Sequence, residues 1–173
     1  GDVYKRQTLS IRLSTDGFSF SIYNPIHDDS LSIIEKEIDT SLSLTANLKA
    51  VFHESDFLNH PYKRVNIMMA SKRFTIAPLD LFEEGQAELL FYHNHQKREN
   101  ETVLYNILRK NNVAVIFGID KSAQTFLNEQ YPEARFYSQS TPFIDYFSVK
   151  SRLGNSKKMY ASIRKDGIDI YCF

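Results

Sequence analysis

Five histidines and a single cysteine are the side chains here best suited to hold a metal or attack a substrate, and their spacing argues against both roles. His93-Asn94-His95 would set two imidazoles on one side of an extended segment. His53 and His60 would share a helical face if a helix runs that far. Neither pair has a third ligand at the spacing a zinc site requires, so the histidines read as solvated groups near helix ends and no metal is expected. Cys172, inside an alternating run, reads as a small apolar filler rather than a nucleophile. The six glycines form neither GxGxxG nor GxxxxGKS/T, and no GxSxG occurs. No catalytic residue is therefore assigned. What remains are two hairpin turns, Asp16-Gly17 with Ser19 close behind and Asp166-Gly167, and four basic pairs. The pairs Lys63-Arg64, Lys72-Arg73, Lys97-Arg98 and Lys157-Lys158 lie near Tyr62, Phe74 and Tyr160, the residue types of an RNA-binding strip.

Composition weighs against that strip. The chain has 173 residues, 42% hydrophobic and 24% charged, enough for a globular core. Its 21 basic and 21 acidic residues cancel, so the broad positive field that draws proteins to nucleic acid or anionic lipid is missing. Exposed strand edges and turns carry basic residues to stay soluble, which is the simpler account of the pairs. One cysteine excludes an internal disulfide framework and fits a reducing cytoplasm. No apolar run approaches the roughly 20 residues that cross a bilayer, and no signal-peptide pattern is present.

The elements that must position these turns follow from periodicity. Leu9, Ile11 and Leu13 alternate with polar residues, Ser14-Thr15-Asp16-Gly17 turns, and Phe18, Phe20 and Ile22 alternate on the way back. This predicts an antiparallel hairpin with Gly17 at positive φ. A third strand is expected over 33–38, then a helix with Leu44, Leu48, Val51 and Phe52 on one face, capped by Ser41 or Thr40. Val65, Ile67 and Met69, then Phe74 and Ile76, predict a second hairpin turning at 70–73 and closed by Pro78. A short helix is expected over 80–92, and a third hairpin over 102–119 about Lys110-Asn111-Asn112. Asp120 should cap a helix carrying Ala123, Phe126, Leu127 and Tyr131 and stopped by Pro132. A strand over 134–139 and a helix with Thr141 as cap and Pro142 at its first position come next. Met159, Ala161 and Ile163, a turn at Lys165-Asp166-Gly167, and Ile168, Ile170 and Cys172 repeat the opening plan. Ser10-Ile11-Arg12 before Asp16-Gly17 recurs as Ser162-Ile163-Arg164 before Asp166-Gly167. A strand–turn–strand unit returning after about 150 residues points to a duplicated domain, since solenoid repeats run at roughly 20–50 residues.

Two mixed α/β halves that each open in this way are the plan of the actin, sugar-kinase and Hsp70 superfamily, which the chain resembles. More closely, it resembles an uncharacterised bacterial family, domain of unknown function 3822. The match is carried by Leu9-Ser10-Ile11-Arg12-Leu13 with Asp16-Gly17-Phe18-Ser19-Phe20, by Phe74-Thr75-Ile76-Ala77-Pro78 with Leu81-Phe82, and by Tyr131-Pro132-Glu133-Ala134. The resemblance implies an α/β actin-like ATPase, ribonuclease-H-like fold with mixed sheets and β-hairpins. Residues 1–7 resemble translated adapter read-through and are set aside. Residues 8–154 are expected to form the first ribonuclease-H-like subdomain with inserted hairpins, and 155–173 the start of a second, truncated one.

In nucleotide-binding members of that superfamily the first hairpin carries an acidic residue, then glycine with serine or threonine facing the phosphates. Here the acid abuts the glycine and the bulky Phe18 follows, while Lys165-Asp166-Gly167-Ile168 lacks any hydroxyl. A ribonuclease-H-type nuclease would need a carboxylate in the middle of the first strand, where Ser10 and Arg12 stand. The leading expectation is a non-catalytic, cytoplasmic, actin-like interaction or scaffold protein with degenerate phosphate loops, no cofactor and a protein partner. The alternative is an ATP-binding or ATP-hydrolysing protein in which Asp16, Gly17, Ser19, Asp166 and Gly167 approach Mg²⁺ and phosphate. An RNA-associated module is the weaker alternative.

Overall fold

Alternating apolar side chains draw the first strands into one sheet. The computed structural model of the protein describes residues 6–25, 30–142, 159–164 and 167–172. Strands β1 (Thr8–Leu13) and β2 (Gly17–Asn24) pair antiparallel with Ile11 opposite Phe20, and β3 (Ser30–Glu37) pairs antiparallel with β2 along its whole length. Leu9, Ile11, Leu13, Phe18 and Phe20 all point to one face and are buried there. That face is covered by helix α1 (Leu44–Glu54) through Leu48, Val51 and Phe52, and by helix α3 (Lys121–Gln130) through Ala123 and Leu127. Each large aliphatic or aromatic side chain so buried contributes about 1.5–3 kcal/mol.

The capping of α1 differs from expectation. Ser43, not Ser41 or Thr40, accepts the hydrogen bond from the Ala46 amide, at 3.1 Å. Ser41 is occupied elsewhere, because its amide and hydroxyl both donate to Asp39 Oδ1 and hold that carboxyl below the usual carboxylate range. The buried Asn47 side chain fixes the loop by accepting from the Asp39 amide and donating to the Asp39 and Ser43 carbonyls.

The expected second hairpin does not form. Strand β4 (Arg64–Met69) lies parallel to β1, and β5 (Phe74–Pro78) leaves for another sheet, where it pairs antiparallel with β7 (Val113–Asp120). The four residues between them are a crossover, not a turn. Helix α2 (Ala87–Asn94) starts later than 80 because residues 79–86 form two 3-10 turns. Phe82 between them is extended, and its ring packs on Tyr105, at 5.1 Å between centroids. The third hairpin forms as expected: β6 (Glu101–Leu108) and β7 are joined through a 3-10 turn, with Asn112 left-handed at φ 56°. Asp120 caps α3 by accepting from the Ala123 amide at 2.9 Å. After β8 (Arg135–Ser138) residues 140–142 are already helical, so Thr141 is inside this helix rather than its cap, and the remainder of that predicted helix lies outside the described residues.

Two main sheets result. The larger has the order β3-β2-β1-β4-β8, with β8 parallel to β4; the smaller, inserted between β4 and α3, has the order β5-β7-β6. The hairpin β9 (Met159–Arg164) and β10 (Gly167–Cys172) forms in the predicted place, with Arg164 opposite Gly167.

One side chain ties the sheets together. Asn106 of β6 donates to the Phe136 carbonyl at 3.0 Å and accepts from the Ser138 amide at 3.0 Å. A neighbouring parallel strand would bond those same two groups on either side of Tyr137, so the carboxamide stands in for a sixth strand at the β8 edge. Thr141 Oγ1 also donates to Asn106 Oδ1, at 2.8 Å. Asn106→Leu should cost roughly 2–4 kcal/mol, since each orphaned, half-buried peptide group loses about 1–3 kcal/mol. Urea unfolding checks this.

Candidate functional site

The β1–β2 turn and the end of β3 border a cleft of about 580 Å³, lined by Arg12, Asp16, Ser19, Glu35, Lys36 and Glu37 among others. The register explains the company: Gly17 lies opposite Glu37 and Ser19 opposite Glu35. Three of the predicted site residues, Asp16, Gly17 and Ser19, thus meet at one cleft. Glu35, Lys36 and Glu37 join them without any sequence signal, because only the pairing of β3 with β2 brings them there.

The turn itself is closed upon Ser14. The amides of Asp16 and Gly17 both donate to Ser14 Oγ, at 3.2 Å each. The Ser14 hydroxyl and amide in turn donate to the Gly17 carbonyl, at 2.9 and 3.1 Å. A phosphate cradle needs such amides aimed outward at the anion. Gly17 has φ +157°, and a Cβ there would stand 2.5 Å from the Lys36 carbonyl oxygen. The glycine is thus explained by the close approach of β3, with no ligand needed. Charge tells the same story. Asp16, Glu35 and Glu37 face the cleft against only Arg12 and Lys36, and Arg12 Nε is engaged by Gln139 Oε1 at 3.2 Å. The cleft thus carries three carboxylates against two cations, and the turn amides beside it are spent within the turn.

Asp166 lies outside the described residues, and Gly167 opens β10. Among the described residues no group of three or more His, Cys, Asp or Glu side chains could hold a metal ion. His95 is taken up in packing: its ring stacks on Phe91 at 4.6 Å and its Nε2 lies 2.9 Å from the Phe74 carbonyl oxygen.

The basic pair Lys72-Arg73 loses its second member to the interior. Arg73 forms a two-pronged ion pair with Glu101, Nε to Oε2 at 2.9 Å and Nη2 to Oε1 at 2.7 Å, and Nη2 also donates to the Gln96 carbonyl. Tyr92 donates to Glu101 Oε1 at 3.0 Å, and the guanidinium lies 5.3 Å from the centre of the Phe91 ring. The carboxylate raises the Arg73 pKa, and loss of solvent followed by the Glu101 bond raises that of Tyr92. Gly118 leaves the room: a Cβ there would run into the Glu101 carboxylate. Partners 28 residues apart gave no sequence signal for this cluster. Lys157 and Lys158 lie outside the described residues.

A mixed sheet of three antiparallel and two parallel strands, with α1 and α3 on one face and a cleft at its first turn, belongs to the actin-like class of α/β folds. A crystal structure of a Bacteroides thetaiotaomicron protein, described as having an actin-like ATPase fold and unknown function, is similar to this chain at 81% identity and a TM-score of 0.90. The match covers 98% of this chain and 66% of that one, so the chain spans just under two thirds of that relative's length. The chain belongs to the family described as protein of unknown function DUF3822, whose model matches residues 2–173. None of the curated proteins matches it. The family and the fold class read from the sequence both hold. No helix among the described residues is long and apolar enough to cross a membrane.

Proposed function

We propose that this chain is part of a non-catalytic, cytoplasmic actin-like protein that works by binding a protein partner, its first phosphate loop having become a plain hairpin turn. The observation that carries this reading is the consumption of the Asp16 and Gly17 amides by Ser14 Oγ. In this reading residues 8–154 are one ribonuclease-H-like unit and 155–173 begin another. Support comes from the β9–β10 hairpin, which makes its own two-stranded sheet among the described residues.

The second reading, ATP binding with Asp16, Ser19 and Asp166 near Mg²⁺, is favoured by one observation: a cleft of about 580 Å³ does open at the turn. Thermal melting separates the two. A ligand present at 100 times its Kd adds about 2.7 kcal/mol to stability, which in a chain of this size raises Tm by roughly 5–10 °C. The protein with 1 mM Mg-ATP should melt where it does without it. A rise of several degrees that Asp16→Ala abolishes would establish the ATP reading instead.

A further inference from the structure

Strand β3, whose Glu35 and Glu37 also line the cleft, lies at the end of its sheet among the described residues. Among the described residues β3 has a strand neighbour on one side only, so its outer edge presents unpaired N–H and C=O groups. Residues 30–34, Ser-Leu-Ser-Ile-Ile, carry no charge and no proline, which is the composition soluble proteins keep off sheet edges. Leu31 and Ile33 are 57% and 60% exposed. The register puts them opposite Tyr23 and Ser21, on the sheet face turned away from α1 and α3. Glu35 and Glu37, also exposed, continue the same row. The edge therefore reads apolar, apolar, acidic, acidic at every second residue.

We propose that this edge docks an extended segment of another protein, which adds a strand to β3 and carries alternate side chains of matching kind: two apolar ones beside Leu31 and Ile33, and two basic ones beside Glu35 and Glu37. The proposal rests on the reading of the chain as an interaction protein and names the chemistry of its partner. Strand addition supplies main-chain hydrogen bonds, and the alternate side chains supply selectivity. A second copy of β3 fits poorly. Antiparallel pairing about a two-fold axis perpendicular to the sheet sets residues of equal parity opposite one another. With Ile33 opposite Ile33, Leu31 meets Glu35; with Ile34 opposite Ile34, Leu31 meets Glu37 and Ile33 meets Glu35. Each full-length register buries an apolar side chain against a carboxylate, and the shorter one with Ser32 opposite Ser32 pairs Leu31 with Ile33 but leaves Glu35 and Glu37 unpartnered, whereas a basic residue beside them meets opposite charge.

The test uses the whole chain and two labelled peptides, Lys-Thr-Lys-Thr-Val-Thr-Val for antiparallel addition and its reverse for parallel addition, with a scrambled peptide of the same composition. Fluorescence anisotropy should show saturable binding of one ordered peptide and weaker binding of the scrambled one. Ile33→Lys should weaken binding about tenfold or more, as loss of a central anchor does. The double variant Glu35→Lys, Glu37→Lys should do likewise and reverse the salt dependence, because added salt then screens a repulsion. The proposal is overturned if neither ordered peptide binds, or if the scrambled peptide binds as well. Sedimentation showing a dimer that Ile33→Lys dissolves would make the occupant a second copy. A fall in Tm for Ile33→Lys as large as a core substitution gives would mean the edge is covered within the chain, and would also sink it. Mg-ATP melting of the same samples is an independent readout, so nucleotide binding would overturn the non-catalytic reading without touching the peptide result.

Discussion

Arg73→Ala is expected to destabilise the protein by about 2–4 kcal/mol, below the full cost of leaving one partner of a buried ion pair without the other because both residues are only part-buried. Glu101 is the reason. Its side chain is only 5% exposed, and without the guanidinium its carboxylate keeps a single neutral donor, the Tyr92 hydroxyl. Glu101→Ala should cost a similar amount, because the Arg73 side chain, 15% exposed, would retain only the Gln96 carbonyl among its charged and polar partners. The double variant Arg73→Met, Glu101→Leu should lose far less than the sum of the two, since it removes both charges and keeps the volume. Urea unfolding of the wild type, Arg73→Met, Glu101→Leu and the double variant gives the coupling directly. Equal, small and additive losses would mean the pair is solvated and does not hold β5, α2 and β6 together.

Phe20→Ala should cost about 3–5 kcal/mol, the range for removing a fully buried ring. Phe20 is 0% exposed, and its ring meets Phe57 edge-on at 5.7 Å and Phe18 at 6.4 Å. It belongs to the core cluster that includes the buried residues of α1 and α3, whose close-packed side chains only partly collapse into the cavity left behind. The contrast that makes the experiment sharp is Ile33→Ala, on the neighbouring strand but the opposite face, which should stay within about 0.5 kcal/mol. With total stabilities of about 5–15 kcal/mol, the first substitution removes a large share of the fold and the second almost none.

The first, third and last hairpins, the Asp120 cap and the Pro132 stop were legible because each is decided within a few residues. Leu9, Ile11 and Leu13 alternate whether or not their partner strand is known, and the Asp120 carboxylate caps an amide three residues on. The second hairpin was misread for the converse reason. Two short alternating runs four residues apart look like neighbours, but β4 carries Val65 and Ile67 into the core beneath α1 and α3 while β5 pairs with β7, about 40 residues on. Arg73 helps fix the crossover between them, through a partner in β6. Ser41 and Ser43 are equal candidates for a cap by type; Asp39 takes the first and leaves the second.

At the cleft the same division holds. Sequence alone determined that Asp16-Gly17 forms a tight turn with Phe18 behind it, because turn chemistry and strand period are written in consecutive residues, and the resemblance to its family implied the actin-like α/β fold. The tertiary structure decided which carboxylates face that turn, where its amides point, which strand edge has no neighbour among the described residues, and which arginine is paired with Glu101. Those outcomes depend on pairings between residues tens of positions apart, whose free energy comes from contacts that a short stretch of chain does not contain.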